Sequence, residues 1–433
     1  MAEKTSGLRV FKFGGASVKD AAAVLNLCRI VAEESARGPL LIVVSAMGKT
    51  TNALEEIFEL VYREQPYATK LTKLKEFHWT TASTLSKEFK APHAGVVHDL
   101  YDDLQELFEE LEQQLTTVNP RREYDQQYDQ IVSFGELLAS RLTTLALKSR
   151  GQATWLDCRP LIKTDRTWRE GRVNWQLTET TIQKSLAGLS PTNKVVTQGF
   201  LGGTANGRTT TLGREGSDYS AAIFAYCLNA ESVTIWKDVP GLLSADPKLF
   251  ADAVLYPEIS YQETIEMAYY GASVIHPKTI RPLAERGIPL YVRSFLDPAA
   301  PGTLVHDCQH SPLAPAIIRK TGQGLISFAS KDFAFISEEN LEVIFGALAA
   351  ARLKINLMQN SALSFSAVVD YDAARVRELL SRLSERFRVQ YNAELTLFTI
   401  KNYDALSVER LTAGRELLLE QRTRTTFQFL VRE

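Results

Sequence analysis

The chain has 433 residues, 45% of them hydrophobic, and a formal net charge of −2. This length predicts two or three domains, and the composition excludes a disordered, collagen-like or disulfide-scaffold chain. The near-neutral charge gives no electrostatic reason to expect a nucleic-acid partner.

The first predicted elements alternate between strands and helices. Residues 8–13 form an apolar run that ends at a glycine pair, and a helical pattern begins at Ser17. Residues 40–44 are apolar at every position, which is typical of a strand buried on both faces of a parallel sheet. A glycine-containing turn at 45–52 and another helix follow. This alternation predicts a layered α/β domain.

Residues 60–150 are predicted to be mainly helical. Leucines at steps of three and four residues line one helix face: Leu100, Leu104, Leu107, Leu111 and Leu115. The opposite face is acidic. A solvated helix packed on its own domain is the ordinary interpretation, and a helix that seeks a coiled-coil partner is the alternative.

Alternation resumes near residue 150 and changes character after a linker. The predicted elements are strands at 194–197, 232–236 and 288–293, with helices at 217–228 and 258–270. Prolines and glycines between 297 and 315 indicate a linker, which we place at 306–314. Beyond it, the order βαββαβ, with strands at 324–329, 355–358, 363–369 and 395–401 and helices at 338–352 and 373–387, predicts a ferredoxin-like arrangement. A short helix and two strands follow.

The four cysteines, Cys28, Cys158, Cys227 and Cys308, lie far apart and form no Cys-x-x-Cys pair. Neither a zinc site nor a disulfide framework is indicated, and we interpret them as thiols in a reducing compartment. The first residues contain no apolar core of signal-peptide length, and the apolar runs are too short to span a bilayer. We expect a soluble, cytoplasmic protein with no membrane partner.

Glycine-rich turns accompany charged residues at several predicted strand ends. Lys12 precedes Gly14 and Gly15, and Ser17 opens a helix. Such turns bind phosphate through unpaired backbone N–H groups, although a plain structural turn fits the same residues. The spacing is not that of the Walker motif.

Two further segments carry charge beside glycine. In residues 197–220, Arg214 suits a carboxylate or a phosphate, whereas Ser217 and Asp218 at a helix start can also serve as N-caps. Residues 236–248 follow a strand, where α/β folds bind ligands, but a simple turn remains an alternative. Glu136, just inside another helix start, fits either a catalytic group or an ordinary helix-end charge.

Together these motifs resemble those of the aspartokinases, in the amino-acid kinase superfamily. The matching segments occur in the family's order between residues 9 and about 305: Lys12-Phe13-Gly14-Gly15-x-Ser17-Val18, Ser133-Phe134-Gly135-Glu136, Thr197-Gln198-Gly199-Phe200, Gly207-Arg208-x-x-x-Leu212-Gly213-Arg214-x-Gly216-Ser217-Asp218-Tyr219, Asp238-Val239-Pro240-Gly241, Asp246-Pro247 and Gly271-Ala272-x-Val274-x-His276-Pro277. The resemblance implies a three-layer αβα kinase fold with a mainly parallel sheet at 1–305, and C-terminal α+β ferredoxin-like (ACT) modules at 315–433. It implies that ATP phosphorylates the side-chain carboxylate of L-aspartate to 4-phospho-L-aspartate, the first step of lysine, threonine and methionine biosynthesis.

The resemblance also implies residue roles. Lys12 matches the lysine that neutralises the transferring phosphoryl group, and Asp218 matches the aspartate that organises the catalytic lysines. Glu136 matches the residue that holds the substrate's amino group, and Arg214 the one that pairs with its α-carboxylate. The remaining site positions that the resemblance implies are Thr51 and Phe200 in the substrate pocket, Gly14, Gly15, Ser17 and Ser217 in the phosphate cradle, and Lys237, Asp238 and Lys248 at the nucleotide. ATP should bring Mg²⁺, held largely by its phosphates, so we expect no dedicated metal site.

Some positions depart from the family pattern, and they concern nucleotide binding rather than the reaction. They are Ala16 for a threonine, Lys237 for a small hydroxyl residue, Leu243 for a tyrosine, Ser273 for a lysine and Lys248 for an arginine. Lys278 can supply the charge missing at Ser273, which is a hypothesis that its effect on the KM for ATP would test.

The C-terminal segment resembles the family's tandem ACT modules, with the second module truncated. ACT pairing implies a homodimer or a higher homo-oligomer. The resemblance places an amino-acid effector, lysine or threonine, at Asn356, Gln359, Asn360 and Ser361, although these residues can form an ordinary turn between strands. Lysine-sensitive relatives tend to carry an acidic residue near Ser361, so the existence of feedback inhibition stays open.

Two alternatives to aspartate kinase remain. One is a kinase of the same superfamily that acts on glutamate or acetylglutamate, and the other is a catalytically silent amino-acid sensor. Glu136, Arg214 and the ACT-like segment favour aspartate, and intact Lys12 and Asp218 argue against the sensor. The length leaves no room for the fused homoserine dehydrogenase that some relatives carry.

Overall fold

The computed structural model describes residues 7–89, 94–188, 193–272, 275–309, 313–332 and 334–433. These residues form two compact units. The first contains residues up to 242 with 255–265 and 275–309, and the second contains 243–254, 266–272 and 313–433. Two short segments from the first 305 residues thus belong to the second unit. The linear division at 306–314 stays a prediction, and residues 310–312 within it lie outside the described part.

The elements are numbered in chain order. The helices are α1 (Ala21–Glu34), α2 (Thr50–Tyr62), α3 (Ala68–Lys87), α4 (Ala94–Thr116), α5 (Tyr124–Val132), α6 (Phe134–Lys148), α7 (Trp175–Ser185), α8 (Gly216–Leu228), α9 (Tyr261–Tyr270), α10 (Pro277–Arg286), α11 (Glu338–Ala350), α12 (Ala373–Leu383) and α13 (Ala405–Thr412). The strands are β1 (Arg9–Phe13), β2 (Leu40–Val44), β3 (Ala153–Leu156), β4 (Lys194–Gln198), β5 (Leu201–Gly203), β6 (Thr209–Thr211), β7 (Ser232–Lys237), β8 (Glu258–Ser260), β9 (Leu290–Ser294), β10 (Thr303–His306), β11 (Ala316–Ser330), β12 (Ile355–Asn360), β13 (Ser364–Asp370), β14 (Phe387–Lys401), β15 (Leu417–Arg422) and β16 (Thr426–Arg432).

An eight-stranded sheet organises the first unit, in the order β3-β4-β2-β1-β7-β9-β10-β8. Neighbours from β3 to β9 are parallel, and β10 is antiparallel to β9. Every residue of β1 and β2 is buried, as expected for central strands covered by helices on a parallel sheet. The predicted α/β fold with a mainly parallel sheet is confirmed.

The carboxyl ends of four central strands lie side by side. Phe13 pairs with Val44 on one side and with Trp236 on the other, and Val44 pairs with Gln198. The loops after β1, β2, β4 and β7 therefore leave the sheet at one edge. Open α/β sheets bind ligands at this edge because the strand ends leave a crevice there.

Helices α2 to α6 occupy the predicted helical region. The leucine face of α4 is buried, and α4 packs against α3 and α6. The acidic face stays outside, so the interpretation of α4 as a solvated helix packed on its own unit is confirmed. Among the described residues, every helix is too short or too polar to cross a lipid bilayer.

The second unit contains a six-stranded antiparallel sheet in the order β12-β13-β11-β14-β16-β15. The two central strands each begin a βαββ half: β11-α11-β12-β13 and β14-α13-β15-β16. Helices α11 and α12 cover a core that includes Phe328, Phe365 and Leu379. The predicted ferredoxin-like order is confirmed. In the second half, no helix follows β16 within the described residues, and the truncation of the second module stays a prediction.

Several predicted element boundaries are wrong, and the strands predicted from 324 and from 395 begin earlier, at Ala316 and at Phe387. The helix predicted from residue 258 begins at Tyr261, because residues 258–260 form β8 and pair with β10. The helix predicted to reach 387 ends at Leu383, and β14 begins at Phe387. Residues 15–18 form a short 3-10 turn, and α1 begins after Asp20, whose carboxylate accepts a hydrogen bond from Ala23 N–H. Pairing with neighbouring strands and side-chain capping of helices set these boundaries. A local pattern of apolar residues does not indicate either of them.

Candidate functional site

Two lysines converge on one buried carboxylate. Nζ of Lys12, in β1, lies 2.6 Å from Oδ1 of Asp218, and Nζ of Lys237, at the end of β7, lies 3.4 Å from Oδ2. Asp218 is in the first turn of α8 and is 2% exposed. Burial acts to raise the pKa of Asp218, but the two ammonium groups outweigh it and hold that pKa below its ordinary value. Asp218 therefore stays anionic and joins β1, β7 and α8.

The glycine turn after β1 packs closely on its surroundings. A Cβ on Gly14 would lie 3.2 Å from Nζ of Lys12, and a Cβ on Gly15 would lie 3.0 Å from the carbonyl oxygen of Ala46. The Ser17 hydroxyl donates a hydrogen bond to a β7 carbonyl oxygen at 3.2 Å. The turn is thus fixed between the loop after β2 and the end of β7, beside the Lys12 ammonium group. A larger residue at Gly15 would push the turn away from this position.

Glu136 is a second buried carboxylate, and it is only partly satisfied. It lies in the first turn of α6 and is 3% exposed. Its Oε1 accepts a hydrogen bond from Ala46 N–H at 3.1 Å, whereas Oε2 has no hydrogen-bond partner among the described residues. Burial raises the pKa of Glu136 to about 8, although the Ala46 N–H and the Lys12 charge act in the opposite direction. A cation next to Oε2 would satisfy this carboxylate.

The loop after β4 packs against the amino end of α8. A Cβ on Gly199 would lie 2.4 Å from Cβ of Ser217, and a Cβ on Gly216 would lie 2.6 Å from Cδ2 of Phe200. Phe200 has a φ of 67°, and its N–H donates to the Ser220 hydroxyl at 2.9 Å. Glycine at these two positions therefore lets Phe200 and Ser217 reach the same edge as Asp218.

Other predicted site residues are not joined to this cluster by contacts. Arg214 and Asp238 are exposed, and neither makes a side-chain hydrogen bond or ion pair within the described ranges. Thr51 is partly buried in the first turn of α2, next to Thr50, whose buried hydroxyl has no partner in the described part of the chain.

The predicted nucleotide residues are divided between the units. Lys248 and Leu243 belong to the second unit, where the Lys248 side chain is exposed. Ser273 lies outside the described residues. Lys278 is exposed at the start of α10. Lys237, the remaining residue of this group, lies at the end of β7 and contacts Asp218.

Sequence reasoning missed Glu215, the residue that precedes α8. It adopts a left-handed conformation with a φ of 53°, and its Oε2 is buried without a hydrogen-bond partner among the described residues. Burial raises the pKa of Glu215, Lys237 opposes this, and the Asp218 charge adds to it. The sequence did contain a signal: Glu215 lies between Gly213 and Gly216, at a turn that needs a positive φ.

The predicted effector residues differ in their surroundings. Asn356 donates from Nδ2 to Gln323 at 2.7 Å and to Asp370 at 2.9 Å, and its Oδ1 accepts from Lys320 at 2.9 Å. Gln323 is 1% exposed, so this is a largely satisfied network inside the second unit. By contrast, the other three positions are exposed: Gln359, Asn360 and Ser361.

The charged groups and hydrogen-bond donors at this edge of the first unit suit two kinds of ligand group. Ammonium groups, glycine N–H groups and the amino end of α8 gather at one edge, which suits a phosphate. Glu136, with one unsatisfied oxygen at the same edge, suits an ammonium group. Such a site can hold a phosphorylated nucleotide beside a small amino acid.

Comparison with known proteins agrees with this chemistry. The model of the amino acid kinase family matches residues 7–294. Lysine-sensitive aspartokinase 3 of Escherichia coli (strain K12) is 32% identical over 411 residues, which is 92% of this chain and 88% of that protein. The chloroplastic bifunctional aspartokinase/homoserine dehydrogenase of Daucus carota is 30% identical over 407 residues, 89% of this chain. The match spans only 42% of that longer relative.

Solved structures extend the similarity to both units. E. coli aspartokinase III in complex with aspartate and ADP (R-state) matches with a TM-score of 0.82 at 28% identity, covering 98% of this chain and 96% of that one. The same enzyme in complex with lysine and aspartate (T-state) matches with a TM-score of 0.79 at 29% identity, covering 99% and 96%. The chain therefore belongs to the amino acid kinase family and, within it, to the aspartokinases.

Proposed function

We infer that this chain is an aspartate kinase, which transfers the terminal phosphoryl group of ATP to the side-chain carboxylate of L-aspartate and forms 4-phospho-L-aspartate. The observation that carries this inference is the pairing of Lys12 and Lys237 on Asp218, at the same sheet edge as the half-satisfied Glu136. An aspartokinase with nearly the same fold was crystallised with aspartate and ADP. Glutamate kinase, acetylglutamate kinase and a silent sensor are not favoured.

Aspartate recognition follows from charge. The unsatisfied oxygen of Glu136 would accept the α-ammonium group, and Glu136 would release its proton so that a neutral buried carboxyl group is replaced by an ion pair. Arg214, exposed and without a side-chain partner among the described residues, would pair with the α-carboxylate through its forked donors. Thr51 and Phe200 would complete the pocket. Two fixed charges therefore orient the side-chain carboxylate for reaction.

Phosphoryl transfer needs positive charge around the moving group and an aligned nucleophile. The attacking carboxylate is already an anion, so no general base is required. Lys12 and Lys237 would neutralise charge on the phosphoryl oxygens, and Asp218 would act as the positioning residue that fixes both ammonium groups. Backbone N–H groups of the glycine turn and of the start of α8 would add oriented dipoles.

The remaining predicted residues would bind the nucleotide. Ser17 and Ser217, with Gly14 and Gly15, would line the phosphate cradle, and Asp238 would contact ATP. The nucleotide role of Lys248, in the second unit, stays a prediction. The ion pair of Lys237 with Asp218, beside Lys12, supports its assignment to the phosphates.

Mg²⁺ would enter with ATP, and we propose no dedicated protein cage for it. When bound, the ion supplies positive charge to the phosphate oxygens, which are also its main ligands. Both carboxylate oxygens of Asp218 face lysine ammonium groups, so this carboxylate would not be a metal ligand.

The second unit would be regulatory and would mediate self-association. A relative was crystallised with lysine, which supports an amino-acid effector such as lysine or threonine. The two βαββ halves share one sheet here, which supports a homodimer or larger homo-oligomer. Residues Asn356, Gln359, Asn360 and Ser361 remain the proposed effector positions. The cytoplasmic location stays a prediction.

Lysine substitutions test the catalytic assignment. In a coupled assay of ADP formation with L-aspartate and MgATP, Lys12→Met should lower kcat by at least about 100-fold, because one preorganised donor contributes that much. Lys237→Met should weaken ATP binding or turnover by about tenfold or more.

A matched control is Lys194→Met. Lys194 begins β4 at the amino edge of the same sheet, so the same change there should leave kcat and KM unaltered. Wild-type turnover in Lys12→Met would remove the catalytic assignment. An ATP KM that rises only in Lys278→Ala, and not in Lys237→Met, would instead assign the second charge to Lys278.

A further inference from the structure

Cys308 differs from the other cysteines. Cys28, Cys158 and Cys227 are buried free thiols, whereas Cys308 is a free thiol that is partly exposed. It lies two residues after His306, the last residue of β10. Strand β10 pairs in parallel with β8, where Glu258 is opposite Leu304. Residues at two-residue steps along a strand project to one face, so this pairing brings three potential metal ligands together.

The three side chains form a compact donor set within the first unit. Sγ of Cys308, a ring nitrogen of His306 and a carboxylate oxygen of Glu258 all lie within 4.8 Å of one another. His306 Nε2 contacts Glu258 Oε1, and Cys308 donates its thiol hydrogen bond to Glu258. The carboxylate is thus the acceptor for both neighbours, and a cation could take the place of the protons that now join them.

Charge and exposure at this cluster also favour a cation. The His306 side chain is 31% exposed and the Glu258 side chain 49% exposed, so an ion has access from solvent. Asp307, between His306 and Cys308, adds a second carboxylate to that of Glu258. The negative charge of the two carboxylates attracts a divalent ion.

The chemical types of the three donor atoms indicate which metal ion the cluster would bind. Thiolate sulfur, imidazole nitrogen and carboxylate oxygen are the ligands of Zn²⁺, with bond lengths of about 2.0–2.3 Å. Tetrahedral ligands at these lengths are about 3.6 Å apart, so donors separated by up to 4.8 Å need to approach by at most about 1.2 Å. Partly exposed side chains can make that adjustment by rotation.

We propose that Glu258, His306 and Cys308 form a Zn²⁺ site, with water as the fourth ligand. The ion would link β8 to the segment that follows β10, at the outer edge of the eight-stranded sheet. Nothing in the proposed kinase mechanism uses these residues, so the site stands independently of that mechanism.

Co²⁺ provides a spectroscopic test, because it occupies zinc sites and its bond to thiolate gives an intense near-ultraviolet charge-transfer band. The full chain, without an affinity tag and stripped with a chelator, should bind one Co²⁺ per chain with this band, and Zn²⁺ should abolish it. Cys308→Ser should remove the band. His306→Ala and Glu258→Gln should each weaken Co²⁺ binding at least tenfold.

A matched control uses a histidine outside the cluster. His98 is exposed and lies beside Asp102 one helical turn away, so it offers a surface nitrogen and carboxylate without a thiol. His98→Ala should leave the Co²⁺ band and affinity unchanged. The kinase assay shows separately whether each variant is folded. A wild-type chain without the charge-transfer band, or a band that persists in Cys308→Ser, would overturn the proposal, as would binding only at millimolar Co²⁺.

Discussion

Glu136 offers the sharpest test, because the structure predicts opposite effects on stability and on function. Replacing it by glutamine keeps the shape but removes the charge. In the ligand-free enzyme, the carboxylate is buried, and one of its oxygens has no hydrogen-bond partner among the described residues. We therefore expect Glu136→Gln to stabilise the empty protein at high pH and to weaken aspartate binding.

The magnitude follows from the pKa. Burial raises the pKa of Glu136 from 4.5 to about 8, which at about 1.36 kcal/mol per pKa unit corresponds to at most about 5 kcal/mol. The native state retains a proton that the unfolded state releases between these pH values. Stability therefore falls as pH rises from 4.5 to 8, and the full cost applies above 8. Ligand-free Glu136→Gln should be more stable than wild type at pH 9 and similar to it below pH 4.5.

The same pKa predicts proton release when aspartate binds. At pH 7, a group with a pKa of about 8 is about 90% protonated, so pairing with the substrate ammonium should release about 0.9 proton. At pH 9 the release should be about 0.1 proton. Isothermal titration in two buffers with different ionisation enthalpies measures this number. Glu136→Gln should lose the proton release and bind aspartate about 100-fold more weakly, since a charge-assisted contact is lost.

Glu34→Gln is the control. Burial acts to raise the pKa of Glu34, but Arg9, Arg37 and Arg293 hold it below its ordinary value. Glu34 therefore contributes stability above its unfolded pKa, which is lost as pH falls through the folded pKa. Its glutamine variant should be less stable at neutral pH yet should release the same number of protons on binding aspartate. Proton release that does not change between pH 7 and pH 9, or unchanged aspartate affinity in Glu136→Gln, would refute the reasoning.

Three further predictions address other parts of the molecule. Gly199→Ala places a Cβ 2.4 Å from Cβ of Ser217. It should therefore reduce kcat and lower the free energy of unfolding, measured in urea, by about 1–3 kcal/mol. The control is Gly346→Ala, which has open space around the added Cβ and should not destabilise the protein. Arg214→Ala should raise the KM for aspartate about 100-fold with an unchanged Tm, because the side chain is exposed, and an unchanged KM would contradict its role. Titration with lysine, threonine and methionine should give heat and inhibition for one of them, and no response at millimolar levels would mean that the second unit is structural.

The sequence predicted those elements whose own residues determine them. Residues 40–44 are apolar at every position, and β2 has these bounds. The edge strand β8 was predicted as helix, because only its pairing with β10 makes it a strand.

At the candidate site, too, the sequence alone did not show which residues come together in the folded chain. The sequence could not decide between capping and catalysis for Asp218, and the ion pairs from β1 and β7 do not support capping. Glu215 was missed because its importance depends on which charges surround it after folding. The group formed by Glu258, His306 and Cys308 was missed for a similar reason: the sequence places His306 close to Cys308, but only the pairing of β8 with β10 brings Glu258 to them.

Trapping of the product tests the central claim most directly. The purified chain, with ATP, Mg²⁺ and L-aspartate in the presence of hydroxylamine, should form aspartyl hydroxamate in an amount that matches the ADP released. The Asp218→Asn variant should form none above background, since the two lysines lose the carboxylate that fixes them. Hydroxamate only with glutamate or acetylglutamate, or none with any of these acids, would contradict the assignment as an aspartate kinase.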